Sequence, residues 1–115
     1  MHRRLYEMRK TWSMRVVSYQ REGRLVPLTA RGLRARSVML AHGQVMEWHS
    51  TRTREELLIA LSGVVNVEVT SPASSRRRTR LIAGQCAFLP RETMHRVIND
   101  SRTRVHYIYV TAPAR

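Results

Sequence analysis

The chain has 115 residues, enough for one domain with a real core and too few for a second. One cysteine, Cys86, excludes an intrachain disulfide framework and fits a reducing, cytoplasmic setting; the longest apolar run, Leu57 to Leu61, is far short of the roughly 20 residues a membrane-spanning helix needs. The formal net charge is +13, and 20 of the 21 basic residues are arginine, a balance that raises polyanions as partners.

Met1 to Met14 carries Arg3, Arg4, Arg9 and Lys10 but no apolar stretch of a secretory signal. It reads as a basic tail or arm (1–14) before a domain over 15–115. Its one helical candidate, Arg3 to Met14, lacks a clean apolar stripe. Arg15 to Tyr19 is expected to open the domain as a strand, followed by a turn around Glu22-Gly23 and Pro27. Leu33 to Ala41 is the second strand, stopped near Gly43, and Val45 to His49 is short and alternating. Leu57 to Leu61 is continuous and apolar, and Gly63 stops it. Val64 to Val69 places Val65, Val67 and Val69 on one face and Asn66 and Glu68 on the other, the period of two of a half-buried strand.

Ser71-Pro72-Ala73-Ser74-Ser75 reads as a loop, and the arginine block that follows, Arg76-Arg77-Arg78 with Arg80, reads as a solvated hairpin tip. None of the seven aromatic residues lies in that block, so no base-stacking platform is visible and nucleic-acid binding is not favoured. Thr79 to Ala83, Cys86 to Leu89 (ended by Pro90), Met94 to Ile98 and Val105 to Val110 (before Pro113) complete the strands. Short strands at regular intervals, punctuated by Gly and Pro, define an all-β sandwich or small barrel.

The residues that bear chemistry fall into two spaced sets. The first is Gly43, five residues, His49, Ser50, Thr51, four residues, Glu56, six residues, Gly63. The second is Gly84, five residues, Pro90, Arg91, Glu92, two residues, His95, three residues, Asn99. In order and in spacing they resemble the two motifs of the cupin superfamily, over about half the chain. The resemblance implies a single-domain jelly-roll antiparallel β-barrel holding a divalent metal ion on His49, Glu56 and His95. Two positions depart from the pattern. Thr51 stands where the family has a second histidine ligand. It is left as a weak ligand, as a partner of metal-bound water, or as the mark of a site that has lost affinity. Glu92 stands where the family has glycine, and is expected to alter the loop and not the site.

Two histidines and one carboxylate form the set that holds non-haem Fe(II) with open positions, and the set also accepts Mn, Ni, Co or Zn. The expected function is therefore that of a metal-binding cupin acting on a small organic molecule, as a dioxygenase or an isomerase. The alternatives are a non-catalytic ligand-binding barrel and polyanion binding through the arginine-rich surface. Glu47, two residues before His49, shares its direction by alternation and is a candidate fourth ligand or general base, though a bend in the strand would instead set it against an arginine. His106 is the other candidate, with its face undetermined. Cys86 reads as a small buried hydrophobe, and His2 and His42 as non-functional. If Glu56, Leu58 and Ala60 face inward, Leu57, Ile59 and Leu61 face outward and need cover, from the N-terminal arm or from a second subunit. Since cupins commonly pair their sheets, a homodimer is expected.

Overall fold

The computed structural model describes residues 14–73 and 75–115; the basic tail before Met14, with His2, and Ser74 lie outside them. Nine strands follow in chain order: β1 (Gly23–Arg24), β2 (Arg34–Leu40), β3 (Val45–Ser50), β4 (Arg54–Ser62), β5 (Val64–Thr70), β6 (Arg76–Ile82), β7 (Cys86–Leu89), β8 (Met94–Ile98) and β9 (Val105–Pro113). There is no helix among the described residues. All pairings are antiparallel, in a five-stranded sheet ordered β1-β2-β9-β4-β7 and a four-stranded sheet ordered β3-β8-β5-β6.

Alternation in the sequence decides which residues meet between the sheets. Val38 and Leu40 of β2, Leu58 and Ala60 of β4, and Val105 and Tyr107 of β9 pack against Val65 and Val67 of β5, Leu81 of β6 and Val97 of β8. Leu58 is 1% exposed, whereas its neighbour Leu57 is 37% exposed and faces out. The inward and outward faces of β4 and β5 are therefore those the period-two reading assigns.

Three expectations are corrected. Arg15 to Tyr19 is not a strand: these residues are exposed and lie in no sheet, because the edge of β2 they would need is taken by Gly23 and Arg24, within the expected turn. The block Arg76-Arg77-Arg78 is not a loop tip but the first half of β6, in full register with Thr70, Val69 and Glu68 of β5. Strand β9 continues through Val110 to Pro113, which pairs with Arg54 at the end of β4.

On the outer face of the four-stranded sheet the block finds partners that are distant in sequence. Arg96 donates to Glu68 at 2.6 Å, and Arg78 lies 3.5 Å from Glu68 and 3.3 Å from Asp100. The Arg96 and Arg76 guanidinium groups sit over the Trp48 ring, 4.9 and 5.4 Å from its centre. Adjacency in the sequence shows no aromatic beside these arginines; the fold supplies one.

Candidate metal centre

His49 and His95 are direct cross-strand partners on β3 and β8, and Glu56 reaches them from β4 in the facing sheet. Strand alternation alone would not aim His49 inward. Met46 packs inward opposite Val97, and two residues on, Trp48 would follow it. A bulge between Met46 and His49 adds one residue to β3, so that His49 and not Trp48 falls opposite His95. Glu47, next to inward Met46, is exposed and outside the cavity lining, and the bulge parts its direction from that of His49, so it is not placed to carry protons there.

One donor atom from each of His49, Glu56 and His95 lies within 4.8 Å of the others. His95 is fully buried, Glu56 is 7% exposed, and His49 stands at the open side. His95 Nε2 is 3.3 Å from Glu56 Oε2. The alignment is not that of a hydrogen bond, and no other polar atom of the described residues reaches this nitrogen. An orphaned, buried imidazole nitrogen is costly unless something accepts its lone pair. Two donors 3.3 Å apart and each about 2.1 Å from one ion subtend about 100° there, between octahedral and tetrahedral values.

The opposite side of each ring fixes its tautomer. His49 Nδ1 donates to the Glu47 carbonyl at 2.7 Å, and His95 Nδ1 donates to the Thr93 carbonyl at 3.1 Å. A carbonyl only accepts, so the proton sits on Nδ1 and both Nε2 lone pairs point into the cavity, as metal ligation requires. Burial pulls the His95 pKa down, but Glu56 and the Thr93 carbonyl outweigh it, and the net shift is upward. The residues present therefore fit a divalent ion.

Thr51 has a different employment. Its hydroxyl donates to the Pro90 carbonyl at 2.7 Å and accepts the Thr93 N–H at 3.0 Å, while its own N–H donates to the Thr93 carbonyl at 3.1 Å. It ties the end of β3 to the turn that delivers His95. Glu92 in that turn adopts φ +59°, the left-handed conformation for which glycine is favoured, and donates its N–H to Arg52. The turn thus keeps the backbone shape of a glycine without having one. Asn99 is fully buried and satisfied on both sides: it donates to Leu40 and Thr103 and accepts from the Ser101 N–H and hydroxyl.

His106 lies outside the barrel. It faces away from the cavity and meets Ser37 at 2.5 Å; since the Ser37 hydroxyl donates to the Tyr19 carbonyl, the imidazole N–H is the donor to Ser37. Cys86 is exposed on the edge strand β7, not buried, because its side faces away from the facing sheet. His42 is held in its turn by the Ser101 carbonyl.

The three donors open on a cavity of about 530 Å³ between the sheets. Its lining also contains Met46, Leu58, Val97, Tyr107 and Tyr109, and four arginines, Arg24, Arg34, Arg36 and Arg54. The alternation of β2 carries the signal for two of them, since Arg34 and Arg36 share the i, i+2 face of Val38 and Leu40.

Two facing antiparallel sheets with a two-histidine, one-carboxylate cluster between them define a double-stranded β-helix protein of the metal-site type. Residues 36–111 match the family described as "Cupin domain", and the chain belongs to that family. No curated protein matches it. Among solved structures it resembles an uncharacterised conserved protein with a double-stranded β-helix domain from Klebsiella pneumoniae (TM-score 0.74, 15% identity, 88% of this chain and 91% of that one). It also resembles the cupin domain of Schizosaccharomyces pombe Cnp3 (TM-score 0.70, 16% identity, 81% and 64%). A third likeness is to recombinant oxalate oxidase in complex with glycolate (TM-score 0.67, 19% identity), where the match covers 71% of this chain and 42% of that one. These likenesses concern the fold.

Proposed function

We propose that this cupin is a metal-dependent protein acting on a small organic molecule, with one divalent ion held by His49, Glu56 and His95 at the inner end of the cavity. The observation that carries this reading is the pair of histidines whose Nδ1 protons are fixed on backbone carbonyls, leaving two Nε2 lone pairs and one carboxylate converging on one point. Bound there, the ion would supply Lewis acidity or redox chemistry to a ligand in its open positions. The chain's own part is to orient the three donors, to shield them between two sheets and to hold the ligand against them. Apart from these donors and the arginines, the ionisable groups lining the cavity are Tyr107 and Tyr109. Burial, with Glu56 nearby, pushes the Tyr107 phenol well up, so it stays neutral. With Glu47 and His106 outside the cavity, chemistry centred on the metal, of the dioxygenase kind, is better supported than an isomerisation driven by a protein base.

The same shortage of proton carriers favours a second reading, a barrel that binds a small ligand without turning it over. The exposed apolar side of the five-stranded sheet, with Leu57 opposite Phe88 and Val110, supports the pairing of two copies through that face. Elemental analysis of the protein as isolated, with anomalous scattering at the His49, Glu56 and His95 cluster, tests the metal reading. About one ion per chain at the cluster supports it, and metal-free protein that refuses every divalent ion offered overturns it.

A further inference from the structure

The cavity has a charge imbalance that the three metal donors do not explain. Four guanidinium groups, those of Arg24, Arg34, Arg36 and Arg54, line it against a single carboxylate, Glu56. Arg54 is committed to the fold: its Nε donates to the Thr111 hydroxyl at 2.8 Å, and Nη2 donates to the carbonyls of Thr111 and Gly32. Arg24, Arg34 and Arg36 have no carboxylate within ion-pair distance among the described residues.

All three are exposed, at the rim of the cavity, where water screens but does not pair their charges. Arg24 and Arg36 are direct cross-strand partners in register, and like charges so opposed repel. Arg34 lies one inward position further along β2, in the row Arg34, Thr111, Glu56 across three neighbouring strands. With strands about 4.8 Å apart, Arg34 and Glu56 stand about 10 Å from each other across that row. Arg54 registers the crowding: burial first, and then Arg34, lower its pKa. A divalent ion on Glu56 would cancel the one negative charge and leave the cavity more positive still. Next to the arginines the walls are apolar, with Leu33, Met46, Leu58 and Tyr109.

We infer that the cavity binds a small organic acid, its oxyanion gripped by Arg24, Arg34 and Arg36 and its carbon skeleton laid along the apolar wall toward the metal donors. The inference rests on the reading of this cavity as the ligand site and names the class of molecule it takes. Guanidinium forks match carboxylate and phosphate oxygens alike, and the mixed lining suits an anion with an apolar body.

Calorimetric titration with benzoate, phenyl phosphate and the neutral benzamide tests it, in metal-loaded and metal-free protein. At least one of the two acids is expected to bind about tenfold or more tightly than benzamide in both forms, and which acid does so tells carboxylate from phosphate recognition. In Arg24→Gln/Arg36→Gln that preference should fall to within about threefold, while bound metal per chain stays the same. Because the substitutions remove like-charge repulsion, the melting temperature of the ligand-free variant should hold or rise, which guards against a folding defect. His95→Ala should lose metal and keep the preference for the acid. Equal binding of acid and amide, no binding of either, or a preference that survives loss of both arginines overturns the inference, whatever the metal content proves to be. Wild-type protein that takes up no metal, or His95→Ala that binds as much metal as wild type, with the preference for the acid intact, would instead overturn the metal reading alone.

Discussion

Thr51→Val separates the structural role of this residue from a role as ligand. Valine keeps the shape and removes the hydroxyl. Two hydrogen bonds go with it, the 2.7 Å bond to the Pro90 carbonyl and the 3.0 Å bond from the Thr93 N–H, at a residue 7% exposed. Each bond is worth about 1 kcal/mol net, and each backbone group left without a partner costs about 1–3 kcal/mol where water cannot replace it. The backbone bond from Thr51 to Thr93 survives, and the turn has room to relax, so the expected loss is about 2–4 kcal/mol. Urea unfolding of the metal-free protein measures it as a lower midpoint at unchanged slope. Metal affinity should fall modestly, since the Thr93 carbonyl that orients His95 is loosened and not removed. A stability change under about 0.5 kcal/mol joined to a large loss of metal affinity would refute this reasoning and make Thr51 a ligand.

Other substitutions and a pH series probe neighbouring parts of the account. Gly63→Ala should destabilise by about 2–4 kcal/mol in thermal unfolding, because φ is +78° and a Cβ would lie 2.6 Å from Val105 Cγ1 and 3.0 Å from the Arg104 carbonyl oxygen. Asn99→Ala strips a fully buried amide of four hydrogen bonds and should cost about 3–5 kcal/mol, read in the same assay. In metal-free protein His95 holds its proton more tightly folded than unfolded. Its contribution is full below the ordinary histidine pKa of 6.5 and disappears as pH rises through the raised folded value. Metal-loaded protein should show the opposite trend over that window, because the proton must leave Nε2 before the ion binds. Parallel pH trends in the two forms would contradict this.

The strand rhythm was legible in β5 because inward and outward residues differ in kind, Val65 and Val67 against Asn66; in the continuous apolar run of β4 only the position of Glu56 set the phase. The histidines and the glutamate were legible through their spacing. What the sequence concealed depends on pairing between distant strands. Whether Trp48 or His49 points inward is set by one extra residue at the bulge, which alternation does not reveal. Whether Arg76 to Arg78 form a tip or a strand depends on the presence of β5 beside them, and on Glu68 and Trp48 as partners. The face of His106 follows from Val105 and Tyr107 being the inward residues of β9, a phase that the apolar residues on both faces of that strand leave open in the sequence. Arg34 and Arg36 were readable by alternation with Val38 and Leu40, and their charge in an inward register was the overlooked signal.

Three side chains from two sheets, His49, Glu56 and His95, are placed to hold one ion. Titrating metal-free protein with Mn(II), Fe(II) under anaerobic conditions and Zn(II) measures this directly, with the melting temperature followed alongside. At least one ion should bind at one per chain, and at a hundredfold excess over its dissociation constant it should add about 2.7 kcal/mol of stability. His49→Ala, Glu56→Gln and His95→Ala should each weaken binding and abolish that gain. Saturable binding that none of the three substitutions alters, or no binding of any ion by the folded protein, would contradict the account.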